Sequence, residues 1–270
     1  PLSLFLFMDG ITAGIAQQIP ASWEHELGEK AYAQYSYDND ILEQESATKL
    51  LNQLTQTLLQ EVDGSRYEFS IVIANDSELN AFALPGGFMV INSGLILKAE
   101  SAAELLGVLA HEISHVTEQH GVRNVIAASG TFLIVQGMIG DASGVMATLA
   151  GAVPLLLNQS YSRGFESDAD SKGVALLARA NINPVGLVSF FEKVIEEQEK
   201  TLAKIEDEEA RALLEGTLDF LSTHPATDER INSIEKLIAQ QPLNDFKNLD
   251  TTFFELQNHV KQFVSEEETQ

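Results

Sequence analysis

The fold of this 270-residue chain is decided by residues 101–121, which read SAAELLGVLAHEISHVTEQHG. The start of this stretch predicts a helix, because Ser101 and Glu104 have the spacing of a capping box, in which each side chain satisfies a backbone amide at the helix start. Apolar residues follow, and Gly121 is a residue type that commonly ends helices. We therefore expect one helix that begins at Ser101 and ends at Gly121.

Two histidines in this predicted helix are placed to hold one cation. His111 and His115 are four residues apart, which puts them about 40° apart on one helix face and about one turn apart in height. Glu112 lies beside that pair, with its carboxylate free to take a proton from bound water. This HExxH pattern is the arrangement of zinc proteases. The alternative interpretation is two surface histidines on an amphipathic helix, which the apolar flanking residues disfavour.

The composition limits the chemistry of the site. The chain has no cysteine, 40 acidic and 16 basic residues, and a formal net charge of −24. The absence of cysteine excludes disulfides, thiolate nucleophiles and cysteine-based metal sites, so any metal is held by histidine and carboxylate groups. The negative charge argues against a nucleic-acid partner, since such partners are bound by clustered lysine and arginine. The apolar fraction of 44% is typical of an ordinary globular protein.

Two histidines do not complete a catalytic zinc site, which usually has three protein ligands and one water. His120 follows His111 by nine residues, about 180° around a regular helix, and is expected to face away. Glu118 is on the histidine face but a full turn beyond the pair. Neither residue is therefore a good third ligand.

A more distant carboxylate is the better candidate for that third ligand. The stretch YSRGFESDAD (161–170) enters a predicted helix over 165–180, with Glu166 and Asp170 on one face. Glu166 could bind the metal while Asp170 hydrogen-bonds the far nitrogen of a ligand histidine. Acids in a first turn also commonly just complement the helix dipole, so spacing alone leaves both interpretations open.

The rest of the chain predicts an α+β fold, mostly helical, with a small antiparallel or mixed sheet. We expect one domain over residues 1–270 with a helical C-terminal part from about 185 to 270. The apolar stretch 125–157 predicts a helical hairpin that packs on the domain or dips into a membrane face. The apolar residues 1–8 are either the remnant of a removed signal or anchor, or a buried first turn. The other predicted helices cover 22–62, 185–221 and 226–240, and the predicted strands lie within 67–96.

The stretch FMVIN (88–92) predicts a strand close to the HExxH helix. As an edge strand it would bind an extended substrate through Phe88, Met89 and Val90, since a peptide can add to a free sheet edge. The alternative is an internal strand of the core. The sequence leaves both positions in the sheet open.

Four blocks of this chain resemble the forty-eighth metallopeptidase family, which includes HtpX and BepA-like bacterial proteases and the CAAX prenyl proteases. The blocks are NAFALPGGFMVINSGLI (80–96), AHEISHVTEQH (110–120), YSRGFESDAD (161–170) and STHPATDERI (222–231), in the order seen in that family. The resemblance implies a zincin-like metalloprotease domain of the gluzincin type, with the HExxH motif on its active-site helix. One Zn²⁺ per chain would be held by His111, His115 and Glu166.

The resemblance also implies roles for residues around the metal. It implies that Asp170 supports a ligand from behind and that His224 and Arg230 lie near the active-site cleft. His224 precedes a proline in a predicted loop, where its imidazole could donate to the oxyanion of a tetrahedral intermediate. From the residues alone, an exposed loop histidine is the alternative. We expect His224 to act in catalysis and Arg230 to contact the substrate.

The sequence thus predicts a zinc-dependent endopeptidase, with Glu112 as proton acceptor. The transmembrane helices of the HtpX and prenyl-protease branches are not apparent, so the better match is the soluble, envelope-type branch. We expect protein or peptide substrates, in particular misfolded envelope proteins, and a location in the bacterial cell envelope, periplasmic or membrane-anchored through a missing N-terminal segment. The alternative function is a chaperone-like, zinc-stabilised scaffold that binds unfolded envelope proteins.

Overall fold

A computed structural model of the chain describes most of its length. The described residues are 10, 12–62, 64, 66–129, 144, 148, 151–158, 160–204, 223–224, 227–242 and 245–267. The helices used below are α1 (Ala21–Asp38), α2 (Glu45–Leu59), α3 (Ser93–Lys98), α4 (Ala102–Thr117), α5 (His120–Ser129), α6 (Val153–Leu157), α7 (Arg163–Arg179), α8 (Val185–Ala203), α9 (Asp228–Ile238) and α10 (Asp250–Glu267). The strands are β1 (Ser70–Ala74), β2 (Ala81–Ala83) and β3 (Phe88–Asn92). The predicted fold class, mostly helical α+β with a small sheet, is confirmed.

Helix α4 begins as predicted and ends earlier than predicted. The Ser101 hydroxyl accepts a hydrogen bond from the Glu104 amide at 3.2 Å. The helix ends at Thr117, and Gln119 adopts a left-handed conformation with a φ of 56°. A new helix, α5, starts at His120. The prediction of one helix up to Gly121 is therefore wrong, because the backbone turns at Gln119.

The sheet is mixed, and β3 lies in its centre. The strand order is β1-β3-β2, with β3 parallel to β1 and antiparallel to β2. The prediction that Phe88, Met89 and Val90 belong to a substrate-binding edge strand is therefore wrong. Both of their backbone edges are paired inside the sheet, and the strand is almost wholly buried. Among the described strands, β2 is the edge that lies against α4.

The predicted helical segment 22–62 is interrupted, since residues 39–44 separate α1 from α2. In this interruption Ile41 forms an isolated antiparallel bridge with Ala74 of β1. Of the predicted apolar hairpin (125–157), the structure describes 125–129, 144, 148 and 151–157, and the rest of it lies outside the described residues. The single-domain organisation over 1–270 also remains a prediction. No helix in the described ranges is both long and apolar enough to cross a membrane.

Helix α4 is the central element of the core, buried along nearly all of its length. Helices α7 and α8 both pack against it. Glycines allow the close crossing with α8. A Cβ added at Gly107 would lie 2.7 Å from the Leu187 amide nitrogen, and one added at Gly186 would lie 2.2 Å from the Ala103 carbonyl oxygen. The backbones of α4 and α8 are therefore in direct contact.

Substituting Gly186→Ala is expected to lower the free energy of unfolding by about 1–3 kcal/mol, because the new methyl group meets backbone atoms that have no room to yield. The matched control is Gly164→Ala on α7, where the nearest atom to an added Cβ is 3.7 Å away. That control should leave stability unchanged or raise it by up to about 1 kcal/mol. Urea unfolding followed by circular dichroism measures both values. Equal stability of the two variants would show that the backbones of α4 and α8 leave room for a methyl group at Gly186.

Candidate metal and active site

Two helices bring the three proposed metal ligands together. The Nε2 atoms of His111 and His115, on α4, are 3.0 Å apart. Glu166, on α7, places Oε2 3.4 Å from His111 Nε2 and Oε1 3.4 Å from His115 Nε2. All three side chains are buried. Two imidazole nitrogens and a carboxylate thus face one point inside the protein.

The position of Glu166 follows from how α7 begins and how closely it packs. The Ser162 hydroxyl accepts from the Phe165 amide at 3.3 Å and starts the helix, which places Glu166 in its first turn. Further along α7, Gly173 lies against the backbone of His111, where an added Cβ would be 3.2 Å from the amide nitrogen. The missing side chain lets α7 lie flat on α4, with Glu166 beside the histidines.

His224 joins this cluster from a segment distant in sequence. Its Nδ1 lies 3.0 Å from Glu166 Oε1 and 3.4 Å from His111 Nε2. Within the described ranges, the donor atoms of His111, His115, Glu166 and His224 all lie within 4.8 Å of one another. The residue predicted to act on the substrate is therefore also placed as a fourth donor for a metal.

Asp170 and Arg230 form a charged layer behind His111. Asp170 Oδ1 is 3.0 Å from His111 Nδ1. Arg230 donates to both Asp170 oxygens, from Nε at 2.6 Å and from Nη2 at 2.8 Å, and its Nη1 is 2.6 Å from Glu166 Oε2. Its guanidinium carbon also lies 4.6 Å from the centre of the Phe191 ring. Arg230 thus lies at the site as expected, with its buried charge directed at two carboxylates, and a contact with substrate stays a prediction.

Glu112 is buried beside the cluster, close to His224 and to the backbone of Ala83. Among the described residues, neither of its carboxylate oxygens has a short hydrogen bond, and His224 Nε2 lies 3.4 Å from Oε1. Burial raises the pKa of Glu112, and the neighbouring His224 and His111 oppose that rise. A carboxylate with a raised pKa holds and releases a proton closer to neutral pH than an exposed one does.

The pKa values of the two histidines on α4 are shifted in opposite directions. Burial acts to lower the pKa of His111, but hydrogen bonds to Asp170 and Glu166 raise it to about 9. Burial holds the pKa of His115 well below its usual value. The pKa of Glu166 is also well below its usual value, because His224, His111 and His115 outweigh the effect of its burial. The site therefore contains an ionised carboxylate beside the neutral imidazole of His115, both of which are metal-ligand forms. The raised pKa of His111 means that its ring must give up a proton when a metal binds.

Two further rings, those of Tyr161 and His120, contact the site although the sequence did not predict these contacts. Tyr161 stacks on His115, with ring centres 3.9 Å apart. His120 was expected to face away, which is wrong, since its Nδ1 lies 3.0 Å from His115 Nδ1. The turn at Gln119 brings it back to the histidine face. A helix that continues regularly gives no signal of that turn.

Comparison with known proteins gives a match to one family. The sequence matches the model of peptidase family M48 over residues 45–238. This range begins at α2 and ends with α9, so it contains the four residues of the cluster as well as Glu112, Asp170 and Arg230.

Individual relatives are similar over much of the chain. The chain is 28% identical to a putative beta-barrel assembly-enhancing protease of Vibrio cholerae, over 71% of this chain and 39% of the relative. It is 28% identical to the beta-barrel assembly-enhancing protease of Escherichia coli, over 70% of this chain and 40% of the relative. It is 31% identical to the mitochondrial metalloendopeptidase OMA1 of Arabidopsis thaliana, over 64% of this chain and 31% of the relative. The matched part thus spans two fifths or less of each of these relatives.

Proposed function

Because this chain belongs to peptidase family M48, we propose that it is a zinc-dependent endopeptidase that uses Glu112 as its general base. The observation that carries this proposal is the convergence of His111, His115 and Glu166 beside a buried carboxylate that has no short hydrogen bond to any described residue. A structural metal site has no need of that carboxylate, which costs stability where it stands. The chaperone-like scaffold is therefore the less favoured function.

The donor set fits zinc. Two imidazole nitrogens and one carboxylate are a common set of protein ligands for catalytic zinc. His111, His115 and Glu166 would hold the ion, with Asp170 fixing the orientation of the His111 ring. When bound, zinc lowers the pKa of a water molecule and polarises the carbonyl group of the substrate.

Glu112 moves the proton in this proposal. Its carboxylate takes a proton from the attacking water and later delivers it to the amine that leaves. Its burial raises its pKa, which makes the carboxylate a stronger base for the first of these transfers. No other acid lies as close to both histidines on α4 in sequence.

His224 is the second residue assigned to catalysis. Its Nδ1 faces Glu166 and its Nε2 faces Glu112, so the ring borders both the ligand atoms and the proton acceptor. We assign Nε2–H to the oxyanion of the tetrahedral intermediate, which needs a preorganised donor. Its Nδ1 also lies within reach of the fourth metal position, which this proposal assigns to the attacking water.

The sheet edge formed by β2, beside α4, is the proposed place for an extended peptide to bind. Strand β2 pairs with β3 on one side only among the described strands, and Ala83 is its last residue. A peptide that adds to β2 would be recognised through its backbone, which tolerates varied side chains. We therefore propose β2, and not Phe88, Met89 and Val90, as the strand that recognises the substrate.

The names of the bacterial relatives point to the cell envelope. A beta-barrel assembly-enhancing protease acts, by its name, in the assembly of β-barrel proteins. We extend this to protein quality control in the bacterial envelope, with misfolded envelope proteins as substrates. A periplasmic or membrane-anchored location and peripheral contact with the membrane belong to the same proposal.

The function is tested with purified protein and an unfolded substrate such as casein. We expect cleavage that stops when a chelator removes the metal and returns when zinc is added in stoichiometric amount. Metal analysis of the active protein should give one zinc per chain. Cleavage that persists after complete metal removal, or tight zinc binding with no cleavage of any unfolded protein, would contradict the proposal.

A further inference from the structure

His120 is a buried histidine for which the proposed reaction has no use. Its ring is fully buried and stacks on Phe165, with centres 4.3 Å apart and planes 10° from parallel. One ring nitrogen, Nδ1, lies 3.0 Å from His115 Nδ1. The other, Nε2, lies 3.5 Å from Asp168 Oδ2. The ring thus stands between a proposed metal ligand and a carboxylate.

We propose that His120 is a positioning residue that orients His115 for the metal by accepting a hydrogen bond from its Nδ1–H. The inference rests on the proposed zinc site and deepens it. In the proposed zinc site His115 binds the ion through Nε2, which lies 3.0 Å from His111 Nε2, so that nitrogen carries a lone pair and not a proton. The single proton of the neutral ring then sits on Nδ1 and needs an acceptor on that side.

The side chains of His115, His120 and Asp168 follow one another in a row, and one arrangement of protons fits both contacts in it. His120 accepts at Nδ1, which leaves its own proton on Nε2, the nitrogen that faces Asp168. A ligand histidine is commonly held from behind by a carboxylate or carbonyl that accepts its second N–H. His111 has such a carboxylate in Asp170, 3.0 Å from its Nδ1. Behind His115 the corresponding acceptor is the His120 ring, and the carboxylate of Asp168 lies on the far side of that ring.

The local backbone is bent in the way this contact requires. In a regular helix His120 would lie about 140° around the axis from His115. The left-handed conformation of Gln119, with a φ of 56°, breaks the helix and returns the ring to His115. The side-chain amide of Gln119 stabilises this turn. Its Nε2 donates to Glu24 Oε1 at 2.7 Å and to the Ala16 carbonyl oxygen at 2.9 Å. Left-handed backbone is uncommon outside glycine, and here buried contacts fix it.

A set of variants of the full chain separates the hydrogen bond from simple packing. His120→Asn keeps an oxygen near the position of Nδ1, whereas His120→Leu has nearly the same shape and no acceptor. His120→Gln carries its amide further out, towards Asp168, and leaves His115 without its partner. His25→Leu removes an exposed histidine elsewhere and is the control. The dissociation constant for zinc is measured by competition with a chromophoric chelator, and the visible spectrum of the cobalt-substituted protein reports the geometry around the ion.

We expect His120→Leu and His120→Gln to weaken zinc binding by about 10- to 100-fold, the usual effect of removing a partner behind a ligand. His120→Asn and His25→Leu should bind zinc like the parent and keep its cobalt spectrum. A purely structural role would affect Asn and Leu alike, so equal affinities for these two overturn the inference. Where the Leu variant fails to fold, equal affinities for Asn and Gln overturn it. A parent that binds no zinc refutes the proposed function itself, which is a distinguishable result.

Discussion

Replacing Glu112 by glutamine is expected to lower kcat/KM for peptide hydrolysis by about 10²- to 10⁴-fold, the usual loss when a general base is removed. Glutamine has nearly the same shape as glutamate and cannot take up the proton. The ligand atoms of His111, His115 and Glu166 are untouched, so zinc affinity should stay at the parental value. Steady-state kinetics on a quenched fluorescent peptide and a zinc titration measure the two quantities.

The matched control is Glu118→Gln at the end of the same helix. Glu118 is half-buried and pairs at 3.1 Å with Lys172, away from the ligand atoms, so its variant should keep the parental kinetics. Parental kinetics in Glu112→Gln with zinc bound would refute the role of Glu112. A loss of zinc in that variant would mean that Glu112 supports the metal instead of the reaction.

Replacing Arg230 by methionine is expected to lower the free energy of unfolding by about 3–5 kcal/mol, because a buried carboxylate then loses its cation. Asp170 is only 2% exposed and Arg230 9% exposed, so water does not take over the lost contacts. Methionine is an uncharged side chain of similar length that can fill part of the space beside Phe191, where the guanidinium now lies. Urea unfolding in the presence of a chelator measures the change without a contribution from the metal.

A double-mutant cycle assigns this loss to the ion pair. Asp170→Asn and the double variant Asp170→Asn/Arg230→Met are measured beside the single Arg230→Met variant. The double variant has no charged Asp170 to leave unpaired, and Glu166 loses Arg230 in the single and the double variant alike. The loss in the double variant should therefore be clearly smaller than the sum of the two single losses. Strictly additive losses, or an Arg230→Met variant as stable as the parent, would show that the pair is not a source of stability.

Short-range patterns predicted the parts of the site that depend on helix geometry. The spacing of His111 and His115 follows from the helix period alone, and the structure places their Nε2 atoms side by side. Glu166 is 51 residues further along the chain than His115, and spacing left it with two interpretations. The resemblance to a known family favoured the metal-ligand interpretation, and the packing of α7 on α4 brings Glu166 to the pair.

The errors arose where distant contacts decide the local backbone. The turn at Gln119 is held by a hydrogen bond to Glu24, 95 residues away, and the residue types near position 119 give no signal for a turn. Strand order is a similar case, because β1 and β3 pair in parallel although β2 lies between them in sequence. The unbroken apolar character of FMVIN was a usable signal, since a strand buried on both faces usually lies inside a sheet.

The charged layer behind His111, formed by Asp170 and Arg230, is completed late during synthesis of the chain. Asp170 and its cation Arg230 are separated by 60 residues, and His224 stands 58 residues beyond Glu166. During synthesis the HExxH helix and Glu166 leave the ribosome well before the segment that contains His224 and Arg230. A nascent chain therefore holds the metal-binding atoms before it holds the groups that neutralise and border them. Completion of the site therefore waits for the segment that contains His224 and Arg230, which delays the proposed peptide cleavage until that segment has emerged.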